Sequence, residues 1–268
     1  MSHQAIPYWH VDAFAARAFA GNQAAVMPLG EWLADAVLQA IAEENKFAET
    51  AFLVRDASGA ADWQLRWFTP ACEIRLCGHA TLASGHVLLE RDGGEQVTFR
   101  TRQAGVLEVR RLAEGGYELA LPTIPTTPGE WAEAAALLGA EPLEVWRNED
   151  RYSVFLLDSE ETVRALRPDF KALAALGDDQ FICTAPGEAA DVVSRVFVPG
   201  AGVDEDSVTG SAHAVLTPFW AARLGRARFT AHQASARGGD LVCRLDEGTA
   251  WLGGQCVTVV EGTFYVPG

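Results

Sequence analysis

Two short segments carry the residue types most suited to chemistry. Cys77-Gly78-His79-Ala80-Thr81 and Thr209-Gly210-Ser211-Ala212-His213 each open a helical stretch at a glycine, with polar side chains beside it. Glycine lets the backbone come close to a ligand, and the free N–H groups of a helix start favour an anion. Two such starts facing one cleft could hold a carboxylate or stabilise an enolate-like oxyanion. The competing reading is an ordinary helix N-cap made by Ser211 or Thr209. For either segment alone that reading is the simpler one; the duplication favours a site.

A ligand of this kind calls for a carboxylate able to move a proton. Leu33, Val37 and Ile41 recur at helical spacing, which predicts a helix over Trp32–Glu44. At ~100° per residue Glu44 returns to almost the face of Leu33, while Glu43 falls off it. Burial there and the negative end of the helix dipole would raise its pKa toward that of a general acid/base. The alternative is a helix that ends earlier, with both glutamates solvated. The corresponding position in the second half is Leu173, so this base is expected once.

Asp204-Glu205-Asp206 precedes the Thr209 segment. It begins like a calcium loop, but the twelfth position is Val215, so an EF-hand fails. A metal reading that recruits Cys77, His79, His86 and Asp206 has no H-E-x-x-H or C-x-x-C spacing behind it, and no metal ligand set is expected. No G-x-S-x-G surrounds Ser211, and neither a P-loop nor G-x-G-x-x-G occurs. The two lysines, Lys46 and Lys171, leave a Schiff-base enzyme only two candidates.

The elements that must position these groups occur twice. Phe52, Ala60, Ala61, Asp62, Arg66, Phe68 and Pro70 match Phe181, Ala189, Ala190, Asp191, Arg195, Phe197 and Pro199 without a gap. After a three-residue insertion, Glu73, Gly78, Ala80 and Arg91 face Glu205, Gly210, Ala212 and Arg223. Each copy predicts a strand (Thr50–Val54; Gln180–Cys183), a second strand (Trp63–Phe68; Val192–Val198), a proline-bounded loop and a helix (Gly78–Arg91; Gly210–Leu224). Two homologous halves imply equivalent loops facing a central cleft, a usual place for a small ligand. The stretch Leu121–Trp131, with three prolines, is the expected linker. The halves are therefore placed at residues 1–120 and 121–257, with a last strand at about 258–268 expected to return to the first.

Of 268 residues, 49% are hydrophobic and 21% charged, a globular composition. A formal net charge of −15 argues against a nucleic-acid partner, which calls for a basic patch. No apolar run approaches the roughly 18 residues of a membrane helix, and no secretory leader opens the sequence, so a cytoplasmic protein without membrane partners is expected. Cys72, Cys77, Cys183, Cys243 and Cys256 are odd in number and form no CxxC pair, which predicts reduced thiols.

The motifs, in order, are Val11-Asp12-Ala13-Phe14, Phe19-Ala20-Gly21-Asn22-Gln23-Ala24-Ala25-Val26, Glu44, Glu49-Thr50-Ala51-Phe52, Phe68-Thr69-Pro70 and Cys77-Gly78-His79-Ala80-Thr81. There follow Gly202-Val203-Asp204-Glu205-Asp206, Thr209-Gly210-Ser211-Ala212-His213, Gln233-Ala234-Ser235-Ala236-Arg237-Gly238-Gly239 and Gly254-Gln255. With this set the chain resembles the PhzF-like (phenazine biosynthesis-like) family, of the diaminopimelate epimerase-like fold, over nearly its whole length. The resemblance implies a cofactor-free isomerase of α+β class. It implies two pseudo-symmetric domains, each a curved, barrel-like mixed sheet around a helix, and a homodimer. It places the family's glutamate on Glu44, its histidine on His79, its aspartate on Asp206 and its serine on Ser211. Asn22, Cys77, Gly78, Thr209, Gly210 and Gly239 would line the substrate, a small carboxylate like trans-2,3-dihydro-3-hydroxyanthranilate.

Ser207 and Arg75 depart from the family pattern, where a proline and an acidic residue are common. The epimerase branch uses a cysteine at each equivalent loop as two opposed bases. Here the second position is Thr209, whose hydroxyl is too weak an acid for that role. Two other readings remain: an amino-acid racemase or epimerase using Cys77, and a non-catalytic metabolite-binding protein on the same scaffold.

Overall fold

The computed structural model describes residues 3–267. In chain order the first part comprises β1 (His3–Ala13), β2 (Asn22–Pro28), α1 (Asp35–Asn45), β3 (Glu49–Arg55), β4 (Trp63–Phe68), β5 (Glu73–Ile74), α2 (Gly78–Asp92), β6 (Gln96–Arg100), β7 (Val106–Arg111) and β8 (Tyr117–Pro122). Next come β9 (Thr127–Gly129), α3 (Ala132–Leu138), β10 (Glu144–Arg147), β11 (Tyr152–Leu156), α4 (Glu160–Ala165), α5 (Phe170–Ala175), β12 (Gln180–Pro186) and β13 (Val192–Val198). A 3-10 turn at Pro199–Ala201 then leads to β14 (Val203–Asp206), α6 (Gly210–Leu224), β15 (Arg228–Gln233), β16 (Gly239–Asp246), β17 (Thr249–Gly254) and β18 (Cys256–Pro267). The expected linker is thus not wholly irregular, because Thr127–Gly129 pairs with β10. No helix among the described residues is long and apolar enough to cross a membrane.

The chain forms two compact units. One takes in the described residues up to Leu121 and those from Gly253 onward; the other is Pro122–Leu252. In the first, β1 is antiparallel to both β2 and β18, β2 and β3 are parallel, and β3–β4 and β4–β5 are antiparallel. Then β4 and β6 are parallel, and β6–β7 and β7–β8 antiparallel. In the second, β10 is antiparallel to both β11 and β9, β11 and β12 are parallel, and β12–β13 and β13–β14 are antiparallel. Then β13 and β15 are parallel, and β15–β16 antiparallel. The same succession of pairings occurs in both units.

Side-chain contacts repeat with the pairings. Arg66 grips Glu73 with two bonds of 2.8 Å, and Arg195 grips Glu205 at 2.7 and 3.0 Å. Such two-pronged, charge-assisted bonds fix geometry as well as adding energy. Asp62 accepts from the backbone and hydroxyl of Thr98, and Asp191 does the same from Thr230.

Each unit wraps its sheet around one helix. The first three turns of α2 are buried almost throughout, including Ala80, Leu82, Ala83, Val87 and Leu88, and α6 is buried likewise over Gly210–Thr217. Helices apolar all round are core helices. In contrast α1 is amphipathic. Leu38, Ile41 and Ala42 pack with Ile6, Met27, Phe52 and Phe68, and burying a side chain such as Leu38 contributes about 1.5–3 kcal/mol. This face differs from the expected one: the helix begins at Asp35, after Leu33, and Val37 is only half-buried.

Candidate functional site

The helix face decides the fate of the first candidate base. Glu44 lies two residues, ~200°, from buried Ala42, and it is exposed. The burial expected for it is absent. The helix stops one residue later, where Lys46 takes a left-handed conformation (φ 57°) and its N–H closes on the Ala42 carbonyl at 3.3 Å. That turn redirects the chain through Phe47 and Ala48 to the start of β3 at Glu49. Phe47 stacks on His10 at 4.3 Å between ring centroids.

Parallel register then brings the next carboxylate to the histidine. Ala24 of β2 faces Glu49 of β3, so Asn22, the first residue of β2, and Glu49, the first of β3, lie at one end of the sheet. Gly21, just before, is in the left-handed region (φ 64°), and a Cβ there would sit 2.2 Å from the Ala13 oxygen. Only glycine fits this turn. The hairpin from β4 to β5 delivers Cys77 and the start of α2 to the same place.

There, Glu49 Oε2 lies 2.9 Å from His79 Nε2, and Asn22 Nδ2 lies 3.1 Å from His79 Nδ1. The Cys77 sulfur is 3.6 Å from Nδ1 and 3.9 Å from Nε2. Asn22, Cys77 and His79 are buried, and the Glu49 side chain is 14% exposed. Of the expected site residues, Asn22, Cys77, Gly78 and His79 are thus brought together, and Glu49 joins them where Glu44 does not.

Electrostatics separate the roles of the two groups beside Glu49. Burial, reinforced by the nearby Glu49 charge, pushes the Cys77 thiol up to about 11, so it stays protonated at neutral pH. Burial disfavours a charged His79, but the Cys77 sulfur and the Glu49 carboxylate outweigh it and hold the ring well above the ordinary histidine range. With the thiol protonated, Glu49 is the neighbour that favours the imidazolium at neutral pH. A doubly protonated ring needs an oxygen at Nδ1, so its proton count and the orientation of the Asn22 amide are linked.

The second unit builds its own set around a buried amide. Gln233, fully buried, accepts from the Thr209 N–H at 2.8 Å and donates to the Asp206 carbonyl at 2.7 Å. The Thr209 hydroxyl donates to Asp206 Oδ2 at 2.6 Å. Ser211, at the place His79 holds in the first copy, is paired with Gln180, whose Nε2 donates to its Oγ at 3.2 Å. Gly239 is buried and sits opposite Gln233 in the β15–β16 ladder. Asp206, Thr209, Gly210 and Ser211 are therefore neighbours, with Gln233 and Gln180 as partners the sequence reading did not assign. The contrast is chemical: a carboxylate–imidazole pair in one copy, an amide–hydroxyl pair in the other.

The positions of the metal reading set aside from the sequence do not all meet. His86 bonds to Tyr117 and Thr258 at 3.1 and 2.9 Å, outside the set around His79.

Comparison with known proteins bears on the family and the fold. The family model described as phenazine biosynthesis-like protein matches residues 11–262. A protein of Pseudomonas aeruginosa named as an uncharacterized isomerase is 47% identical over 260 residues, covering 96% of this chain and 97% of that one. The crystal structure of a PhzF-family phenazine biosynthesis protein from Enterococcus faecalis superposes with a TM-score of 0.91 at 42% identity, covering 98% of this chain and 100% of that one. A predicted epimerase of Pseudomonas aeruginosa, 21% identical, shares the fold with a TM-score of 0.74 over 97% of this chain and 99% of that one. With its duplicated α+β architecture, its family match over nearly all its length and its close relatives, this chain belongs to the phenazine biosynthesis-like family and is an isomerase.

Proposed function

We propose that the chain shifts a proton on a small unsaturated carboxylate, of the trans-2,3-dihydro-3-hydroxyanthranilate kind, without a cofactor, and that Glu49 in place of Glu44 is the acid/base. The observation that carries this reading is the 2.9 Å contact of Glu49 with His79 in a buried pocket of polar groups. A carboxylate held there can lift a proton from one carbon and return it to another. His79 steadies its charge and shares its proton. Asn22 fixes the ring. In the second unit, Ser211 and the amides at the α6 start suit a carboxylate or oxyanion, and Asp206 positions the substrate and relays protons. The raised Cys77 thiol is a poor base, which weighs against the racemase alternative. As the resemblance implies, we also propose a homodimer; light scattering tests it by a mass of twice 28.8 kDa.

The test is an NMR time course in D₂O with trans-2,3-dihydro-3-hydroxyanthranilate and three proteins: wild type, Glu49→Gln and Glu44→Gln. Wild type consumes the compound and incorporates deuterium. Glu49→Gln slows this by about 10²–10⁴, the usual range for a general acid/base, and Glu44→Gln stays within a few-fold. Full activity in Glu49→Gln, with loss in Glu44→Gln, would return the role to Glu44. If no protein turns the compound over, the substrate is wrong, and a panel of cyclic and acyclic carboxylates replaces it.

A further inference from the structure

We propose that Glu49, Cys77 and His79 form a binding site for a borderline-soft divalent cation of the Zn²⁺ type. Among the described residues, these three donors (a carboxylate oxygen, a sulfur and a ring nitrogen) all lie within 4.8 Å of one another. Mixed sulfur, nitrogen and oxygen ligands select Zn²⁺ or Co²⁺ over Ca²⁺ and Mg²⁺, which prefer oxygen alone.

An ion requires the His79 ring to turn, because the Cys77 sulfur lies nearly equally far from both ring nitrogens, at 3.6 and 3.9 Å. Bond lengths of about 2.0–2.3 Å in a tetrahedral site place donors roughly 3.3–3.6 Å apart. Here the sulfur stands 3.9 Å from His79 Nε2, and the Glu49 oxygen 2.9 Å from it. Oε2 of Glu49 is buried and, despite its closeness to His79, has no aligned hydrogen-bond donor among the described residues. An ion there displaces the ring proton that faces it.

Asn22 supplies the outer contact that a metal-bound histidine normally has. With the ion on Nε2, after a turn of the ring that aims Nε2 at the metal, Nδ1–H donates to Asn22 Oδ1 once the amide, whose Nδ2 lies 3.1 Å from Nδ1, is reversed. Coordination exchanges the Cys77 S–H bond and the His79 Nε2–H bond for metal–sulfur and metal–nitrogen bonds, and both protons leave to the buffer; no electron is transferred. Three protein donors leave a fourth position open. The further consequence, that the bound ion takes Glu49 out of proton transfer, rests on the proposed function.

Co²⁺ is the probe, because a cobalt–thiolate bond gives a near-ultraviolet charge-transfer band. Wild type titrated with Co²⁺ should develop that band, saturate at one ion per chain, and lose it on addition of Zn²⁺. Cys77→Ser and Cys77→Ala, each checked by circular dichroism, should lack it, while Cys72→Ser should keep it. No band in the wild type, or a band that survives in both Cys77 variants, overturns the site. Deuterium exchange followed in the same titration keeps the two ideas apart. A band with exchange abolished supports both. A band with undiminished exchange supports the metal site and removes Glu49 from the proton transfer.

Discussion

His213 makes the second unit sensitive to acid, by an amount that follows from its surroundings. Its ring is fully buried in α6, and Nδ1 donates to the Thr209 carbonyl at 2.8 Å. Nε2 has no hydrogen-bond partner among the described residues. A second proton would place an unpartnered charge in the core, near His232, itself 2.7 Å from Asp240. Burial accordingly lowers the His213 pKa from 6.5 to about 4. Between those values the unfolded chain binds more protons than the folded one, so stability falls as the pH drops. The full difference is about 3 kcal/mol, and about 2 kcal/mol of it develops between pH 7 and pH 5. The control is His213→Thr. Thr81, at the same place in the first copy, donates its hydroxyl to the Cys77 carbonyl at 2.5 Å. Threonine keeps the donor and removes the titration, and the cavity it leaves costs about the same at every pH. Urea denaturation of both proteins at pH 7, 6 and 5 should show the wild type losing about 2 kcal/mol more than the variant. Parallel losses in the two proteins would refute the assignment of this acid sensitivity to His213.

Three further outcomes are expected. Gly21→Ala should destabilise the protein by more than about 2 kcal/mol, because the new methyl meets the Ala13 oxygen at a left-handed position; an unchanged melting temperature would contradict this. Lys46→Gly should stabilise by up to about 1 kcal/mol by relieving the left-handed turn after α1, seen as a higher denaturation midpoint; a lower one would mean that the side chain does more than occupy the turn. Gln233→Leu strips the partner from the buried Thr209 N–H, at a cost of about 1–3 kcal/mol. It should also weaken substrate binding, and a variant with wild-type stability and KM would show the amide to be dispensable.

The duplication was legible because it rests on residues that act in place. The spaced Asp and Arg of each copy are the ones that hold Thr98 or Thr230 and grip Glu73 or Glu205. Strands Trp63–Phe68 and Val192–Val198 and the helix Gly210–Leu224 have the ends that their patterns predict. The acid/base was harder. A helical stripe that includes Leu33, which precedes the helix, points its face toward Glu44; the stripe that packs is Leu38, Ile41 and Ala42. Glu49 lies on no helix. It reaches His79 through a left-handed residue, a parallel register and a hairpin, none of which has a periodic signature. The Glu49-Thr50-Ala51-Phe52 motif was visible, but nothing local distinguishes that carboxylate from its neighbours. Gln233 was hidden for a similar reason, since only tertiary contact brings β15 to the α6 start.

β18 pairs with β1 along nearly the whole length of both, from His3 opposite Pro267 to Ala13 opposite Cys256. On a ribosome this reverses the usual order of events. The second unit can close as soon as it emerges, whereas the first must wait, with one edge of its sheet bare, until all of the second has been made. During that interval β1 offers unpaired backbone groups to any other strand, including that of a neighbouring nascent chain. Codon choice and chaperone supply over the segment that encodes residues 122–255 should therefore affect the yield of the first unit more than that of the second.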